Sequence, residues 1–149
     1  MYEINKKTMA IISKNTGYYR TKIIEEDKIK HSPHSPLQLL DHNCIINGAS
    51  LEGRIKTVKK ILRSKTKLPI PIQPKKGIYM FPTISMKNIN CVWISYFHVK
   101  EHGKRDKKTY IQFNNNMNYF VSTSANQFDL QMKRTSQVIA YFHHKFFLN

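Results

Sequence analysis

The sequence predicts an α+β fold: a strand-rich single domain over residues 1–149 with a basic amphipathic helix and a long C-terminal helix. Three observations predict it. Turn residues break up β-branched and aromatic runs in the first thirty positions and again between residues 77 and 122; apolar residues recur at helical spacing over residues 50–63; and a second helical repeat runs from Phe128 to Phe146. At 149 residues and 40% hydrophobic content the chain is long and apolar enough for one folded core.

Residues 2–14 and 18–30 read as the two strands of a hairpin turning at Asn15-Thr16-Gly17. Ser32-Pro33-His34-Ser35-Pro36 ends that pattern. Ser35 suits an N-cap and Pro36 the first turn of a helix running to about Cys44, with Leu37, Leu40 and Cys44 inward. Over residues 50–63, Leu51, Ile55, Val58 and Leu62 make an apolar stripe, with Lys56, Lys59, Lys60 and Arg63 on the opposite side. Pro69, Pro71 and Pro74 exclude helix from the next segment, so extended chain follows.

Residues 77–85, 91–99, 108–113 and 118–122 read as a meander of strands. The last pair is joined by Asn114-Asn-Asn-Met117, where Asn tolerates positive φ. Ser124 with Gln127 has the form of a capping box. Beyond it Phe128, Met132, Thr135, Ile139, Phe142 and Phe146 advance in steps of four and three, which predicts the long helix.

The charge speaks about partners. Lys and Arg number 25 against 9 Asp and Glu, a net +16 that repels itself unless phosphate backbone or anionic lipid neutralises part of it. AT-rich coding DNA accounts for the preference for Lys over Arg but not for the net excess. No apolar run follows the start of the chain, and none approaches the length of a membrane span, so the expectation is a cytoplasmic protein with no membrane partner. The helix over residues 50–62 lacks the Trp or Phe of an interfacial helix. In such a compartment Cys44 and Cys91 read as buried thiols rather than a disulfide.

From Arg54 to Lys76 there are nine basic residues, with Glu52 the acidic neighbour. Long donor-only side chains are what phosphate contact requires. Arg54, Lys56, Lys59, Lys60 and Arg63 are therefore the candidate DNA face, and Lys104, Arg105, Lys107 and Lys108, read as part of a hairpin loop, a second contact. Either cluster would also arise as a solvated lysine-rich surface. Arg is scarce for guanine readout, which points instead to the narrow minor groove of AT-rich DNA. Trp93, between Val92 and Ile94, reads as a core anchor. The C-terminal stripe serves either the chain's own core or oligomerisation through Phe128, Met132, Ile139, Phe142 and Phe146.

Nothing points to a metal or cofactor: His31, His34, His42 and Cys44 lack the paired spacing of zinc ligands. Asp41 with Glu52 could serve a metal-dependent nuclease, but their spacing is nonspecific. With no glycine-rich phosphate loop and no nucleophile elbow, the chain does not read as an enzyme.

Several stretches together resemble the ComK family of bacterial competence transcription factors: Ile23-Ile-Glu25, Pro36-Leu-Gln38, Cys44, residues 48–54, Gly77-Ile-Tyr-Met-Phe-Pro-Thr-Ile-Ser85, Cys91-Val-Trp-Ile-Ser95 and His98-Val-Lys100. The likeness runs from about Lys22 to Phe146. It implies a transcriptional activator of DNA-uptake genes that binds AT-rich boxes through the minor groove as a homo-oligomer, dimer or tetramer, with RNA polymerase a further partner. Family members continue beyond the long helix into a tail recognised by an adaptor for an ATP-dependent protease, whereas this sequence ends at Asn149. The expectation is a shortened member, either an activator or an interaction module that modulates a full-length one.

Overall fold

The computed structural model describes residues 1–15 and 17–148; Thr16, in the expected first turn, and Asn149 lie outside them. The chain runs through β1 (Thr8–Ser13), β2 (Thr21–Glu25), β3 (Ile29–Ser32), α1 (Pro36–Ile46), α2 (Leu51–Leu62), β4 (Ile70–Gln73), β5 (Ile78–Pro82) and β6 (Val92–Ser95). It continues into β7 (Val99–Arg105), β8 (Lys108–Phe113), β9 (Asn118–Val121) and α3 (Ala125–His143). The first six strands form one antiparallel sheet in the order β3-β2-β1-β6-β5-β4, and the last three a smaller antiparallel sheet in the order β7-β8-β9. The fold is α+β.

Two rows of side chains cross the large sheet on opposite faces. Ile23, Ile11 and Trp93 stand in register and pack with Leu39, Leu40 and Cys44 of α1. One residue along, Ile24, Ala10, Ile94 and Phe81 point the other way and meet Ile111 and Phe113 of β8, Val121 of β9 and Phe128 of α3. Both faces are covered, so β5 and β6 are buried throughout, as their unbroken apolar sequence requires. Trp93 is the core anchor the sequence suggested, with 1% exposure.

Three departures from the sequence reading have physical causes. The expected strand at residues 18–30 is two strands, because Glu25 N–H bonds Lys28 O across a polar turn. The expected strand at residues 91–99 ends at Ser95, where a 3-10 turn at Tyr96–His98 carries the chain from one sheet to the other. The basic stretch around Lys104, expected in a hairpin loop, is mostly strand. It is β7 and β8 joined at Asp106 and Lys107, with Asp106 at φ 56; Arg105 lies on the outer face of the sheet, Lys104 on the opposite face beside Thr109, and Lys107 in the turn.

The prolines place β4 at the sheet's edge, where a missing backbone donor is tolerated. Ser35, Ser50 and Ser124 cap the three helices, each accepting an N–H from the third residue onward. At Ser35 the capping box is complete. At Ser124 only half of it forms, since Gln127 Oε1 accepts instead from Lys67 Nζ at 3.4 Å. The inner line of α1 includes Asn43, which the apolar pattern could not show: it accepts from Ile4 N–H and donates to Tyr2 O, pinning the N-terminal segment.

Candidate nucleic-acid interface

On α2, Val58 is fully buried, Leu51, Ile55 and Leu62 are half-buried, and Lys56, Lys59 and Lys60 project into solvent. Lys56 is paired with Glu52 at 3.6 Å, one turn earlier, an exposed contact of little energetic weight. Arg54 departs from the expected DNA face. Its guanidinium carbon lies 5.5 Å over the Phe142 ring and its Nε is buried without a partner, so its aliphatic stem and part of its charge belong to the α2–α3 packing.

Past α2 the chain bends sharply, with Arg63 and Lys67 both in the left-handed region at φ 52 and 55. Between them the loop is clamped by α3. Arg134 donates to Ser64 Oγ (3.0 Å), Thr66 O (2.7 Å) and Gln131 Oε1 (2.7 Å). Gln131, 1% exposed, donates to Lys67 O (2.9 Å) and Pro82 O (2.7 Å), fastening the loop to β5. Desolvation lowers the Arg134 pKa from its ordinary value, consistent with a guanidinium used structurally. The clamp holds Arg63 and Lys65 in the open and Lys67 half-covered. Lys65 and Lys67 were part of the basic run but not of the proposed face; their position depends on contacts with residues far along the chain.

The second cluster borders the start of α3. A cleft between the β7–β8 turn and the first turn of α3 is lined by Lys104, Lys107, Lys108, Ser124, Ala125 and Asn126. That first turn carries no acidic residue. One residue beyond the cleft, Gln127 receives Lys67, so both basic segments border the first turn of α3. Arg105 leans the other way, its guanidinium 4.8 Å over the Tyr110 ring on the open face of the small sheet.

The residues weighed for a subunit contact divide in two. Phe128 (0% exposed) and Phe142 (4%) lie in the chain's own core, with Phe128 5.4 Å from the Phe81 ring, and Met132 and Ile139 are half-buried beside them. The deepest line of α3 is Phe128, Gln131, Thr135, Val138 and Phe142, rotated slightly from the expected stripe, with Gln131 in place of Met132 and Val138 in place of Ile139. Phe146 remains 36% exposed, next to Tyr141, Phe147 and Leu148 at the end of the helix.

The sequence model of the ComK protein family matches residues 1–146. The competence transcription factor of Bacillus subtilis (strain 168) is 34% identical over 137 residues, covering 91% of this chain and 71% of that protein. The chain belongs to the ComK family. No solved structure matches it. The ComK resemblance in the sequence is carried largely by residues that build the scaffold. Ile23, Ile24, Phe81 and Trp93 are core, Pro36 opens α1, Gln38 closes its capping box with Ser35, and Gly48 ends that helix at φ 83. Glu25, 2% exposed, accepts from Tyr2 Oη at 2.6 Å. Family membership therefore speaks through the fold, and the interface is read from its charge.

Asp41 and Glu52, the pair considered for metal-dependent cleavage in a ComK-family chain, have other employment. Asp41 Oδ1 accepts Leu51 N–H at the start of α2, and Glu52 pairs with Lys56. Among the described residues no three His, Cys, Asp or Glu side chains gather as a metal site, and no helix is long and apolar enough to cross a membrane. Cys44 and Cys91 are free, buried thiols, pushed up by burial to about 11.

Proposed function

We propose that this chain is a competence transcription regulator, not an enzyme, that grips AT-rich double-stranded DNA with the basic end of the molecule. The observation that supports this reading is the meeting of the Arg63–Lys67 loop and the β7–β8 turn at the first turn of α3. Lys104, Lys107, Lys108, Arg63, Lys65 and Lys67 face phosphates there, while Lys56, Lys59 and Lys60 flank them on α2. Ammonium groups near a narrow, strongly negative minor groove favour AT-rich sequence without guanine contacts. The protein acts as an activator in a homo-oligomer, pairing through the exposed Tyr141, Phe146, Phe147 and Leu148, and RNA polymerase is the partner that activation requires.

Gel shifts of A-tract and GC-rich duplexes at several salt concentrations test it. Six phosphate contacts give log affinity a slope of about −5 against log salt, with tighter binding of the A-tract. Equal affinity for both duplexes sinks the reading. An interaction module that pairs with a full-length activator is the second reading, favoured by the same exposed apolar end of α3. It predicts subunit exchange with little DNA affinity of its own, and analytical ultracentrifugation with and without duplex separates the two.

A further inference from the structure

Beside Arg105 and Lys108, the open face of the three-stranded sheet carries polar and aromatic groups that phosphate contact does not use. Its register sets Glu101 beside Gln112, Gln112 beside Asn118, Gly103 beside Tyr110, Tyr110 beside Phe120, and Arg105 beside Lys108. Thr109, Ile111, Phe113 and Val121 are buried on the other side, so this set faces solvent. Tyr110 lies across Gly103, where a Cβ would stand 3.2 Å from a ring carbon, and Arg105 covers the ring. Tyr110 is thereby held flat, and Phe120, 46% exposed on the edge strand, is left standing as an apolar group.

Width decides what such a face can touch. Three strands about 4.8 Å apart span roughly 10 Å, more than the roughly 6 Å of a B-DNA minor groove. The sheet reaches base edges there only if the groove is opened, and opening it disrupts stacking at a base step. An apolar side chain inserted at that step replaces the lost contact.

We propose that Phe120 is this wedge. The open face lies along the minor groove of an AT-rich duplex, Phe120 enters a pyrimidine–purine step, and the Gln112 and Asn118 amides donate to the adenine N3 and thymine O2 acceptors. Such steps are the easiest to open, which yields selectivity without arginine–guanine pairs. Arg105 and Lys108 join the face to the cations of the hairpin tip, and Glu101 is its acidic residue. The inference rests on the duplex-binding reading above and assigns its base-contacting surface.

A duplex with 2-aminopurine beside a TA step in an A+T box reports unstacking as increased fluorescence. The wild-type chain raises the signal. Phe120→Ala abolishes the rise and weakens duplex binding about tenfold with an unchanged salt slope, because no phosphate contact is lost. Phe120→Leu retains both, since leucine also wedges. A thermal unfolding curve matching wild type shows that the variant is folded, as a half-open side chain allows. A+T preference without a fluorescence rise, or Phe120→Ala indistinguishable from wild type, overturns the wedge and leaves the duplex reading standing. Tighter binding of the single strand overturns the duplex as occupant, and absence of A+T preference overturns both.

Discussion

Phe128 and Phe120 bracket the three-stranded sheet, one on each side. Phe128 is fully enclosed against Phe81, while Phe120 stands half in water beside Tyr110. Arg54 and Arg105 repeat the contrast: each guanidinium lies over a ring, but one is wedged between helices and the other rests on an open face. Aromatic and basic residues thus have two uses in this chain, and side-chain type does not distinguish them. What distinguishes them is whether another layer lies above.

The sharpest way to break that contrast is to truncate both phenylalanines. Phe128→Ala should cost about 3–5 kcal/mol, enough to unfold much of the population, whereas Phe120→Ala should change stability by less than about 0.5 kcal/mol. Urea denaturation of the two variants reads this directly; equal costs would erase the distinction.

Alkaline pH probes the closed side next. The native state keeps the Cys44 and Cys91 thiols, and the Tyr79 hydroxyl raised to about 12 by burial, protonated where the unfolded chain ionises. Because the folded values lie above the unfolded ones, the contribution of these groups is constant below about pH 8.5 and stability falls as pH rises toward 11. Urea midpoints at pH 7 and 10 should differ accordingly, and replacing either cysteine with Ala should flatten the curve.

Arg134→Ala should cost about 1–2 kcal/mol and also weaken DNA binding, by freeing the loop that presents Lys65. Gel shifts alongside unfolding curves would show both effects; a loss of stability alone would detach the clamp from the interface. The smallest effect is that of one exposed cation. Lys107→Ala should reduce the salt slope by about one with no change in stability, whereas Arg54→Ala should lower stability and leave the slope unchanged.

The sequence showed the helices best, because each announces itself locally: a serine strengthened by Pro36 or by Gln127 at α1 and α3, and an apolar stripe opposite lysines at α2. It showed β7 worst. Lys100, Glu101, Lys104 and Arg105 resemble a loop when polarity is the signal, yet an edge strand leaves side chains on both of its faces in water and tolerates charge at all four positions. Asn43 and Gln131 escaped the apolar pattern because they are buried to satisfy backbone groups, and a polar letter does not reveal that use. Both basic clusters were legible as composition, but their meeting was not. Lys67 and Gln127 are brought together by the path of α3, a long-range contact without a local signature.

Arg63 and Lys67 stand where glycine would fit the backbone with least effort. Each non-glycine residue in that conformation costs on the order of 1 kcal/mol. A variant with glycine at both positions would shed that strain, less the extra freedom glycine has in the unfolded chain, yet would present two fewer cations to a polyanion. Thermal robustness and grip are thus opposed at the two hinges of a single short loop, and selecting this chain for heat tolerance alone would drive it toward a sturdier but weaker regulator.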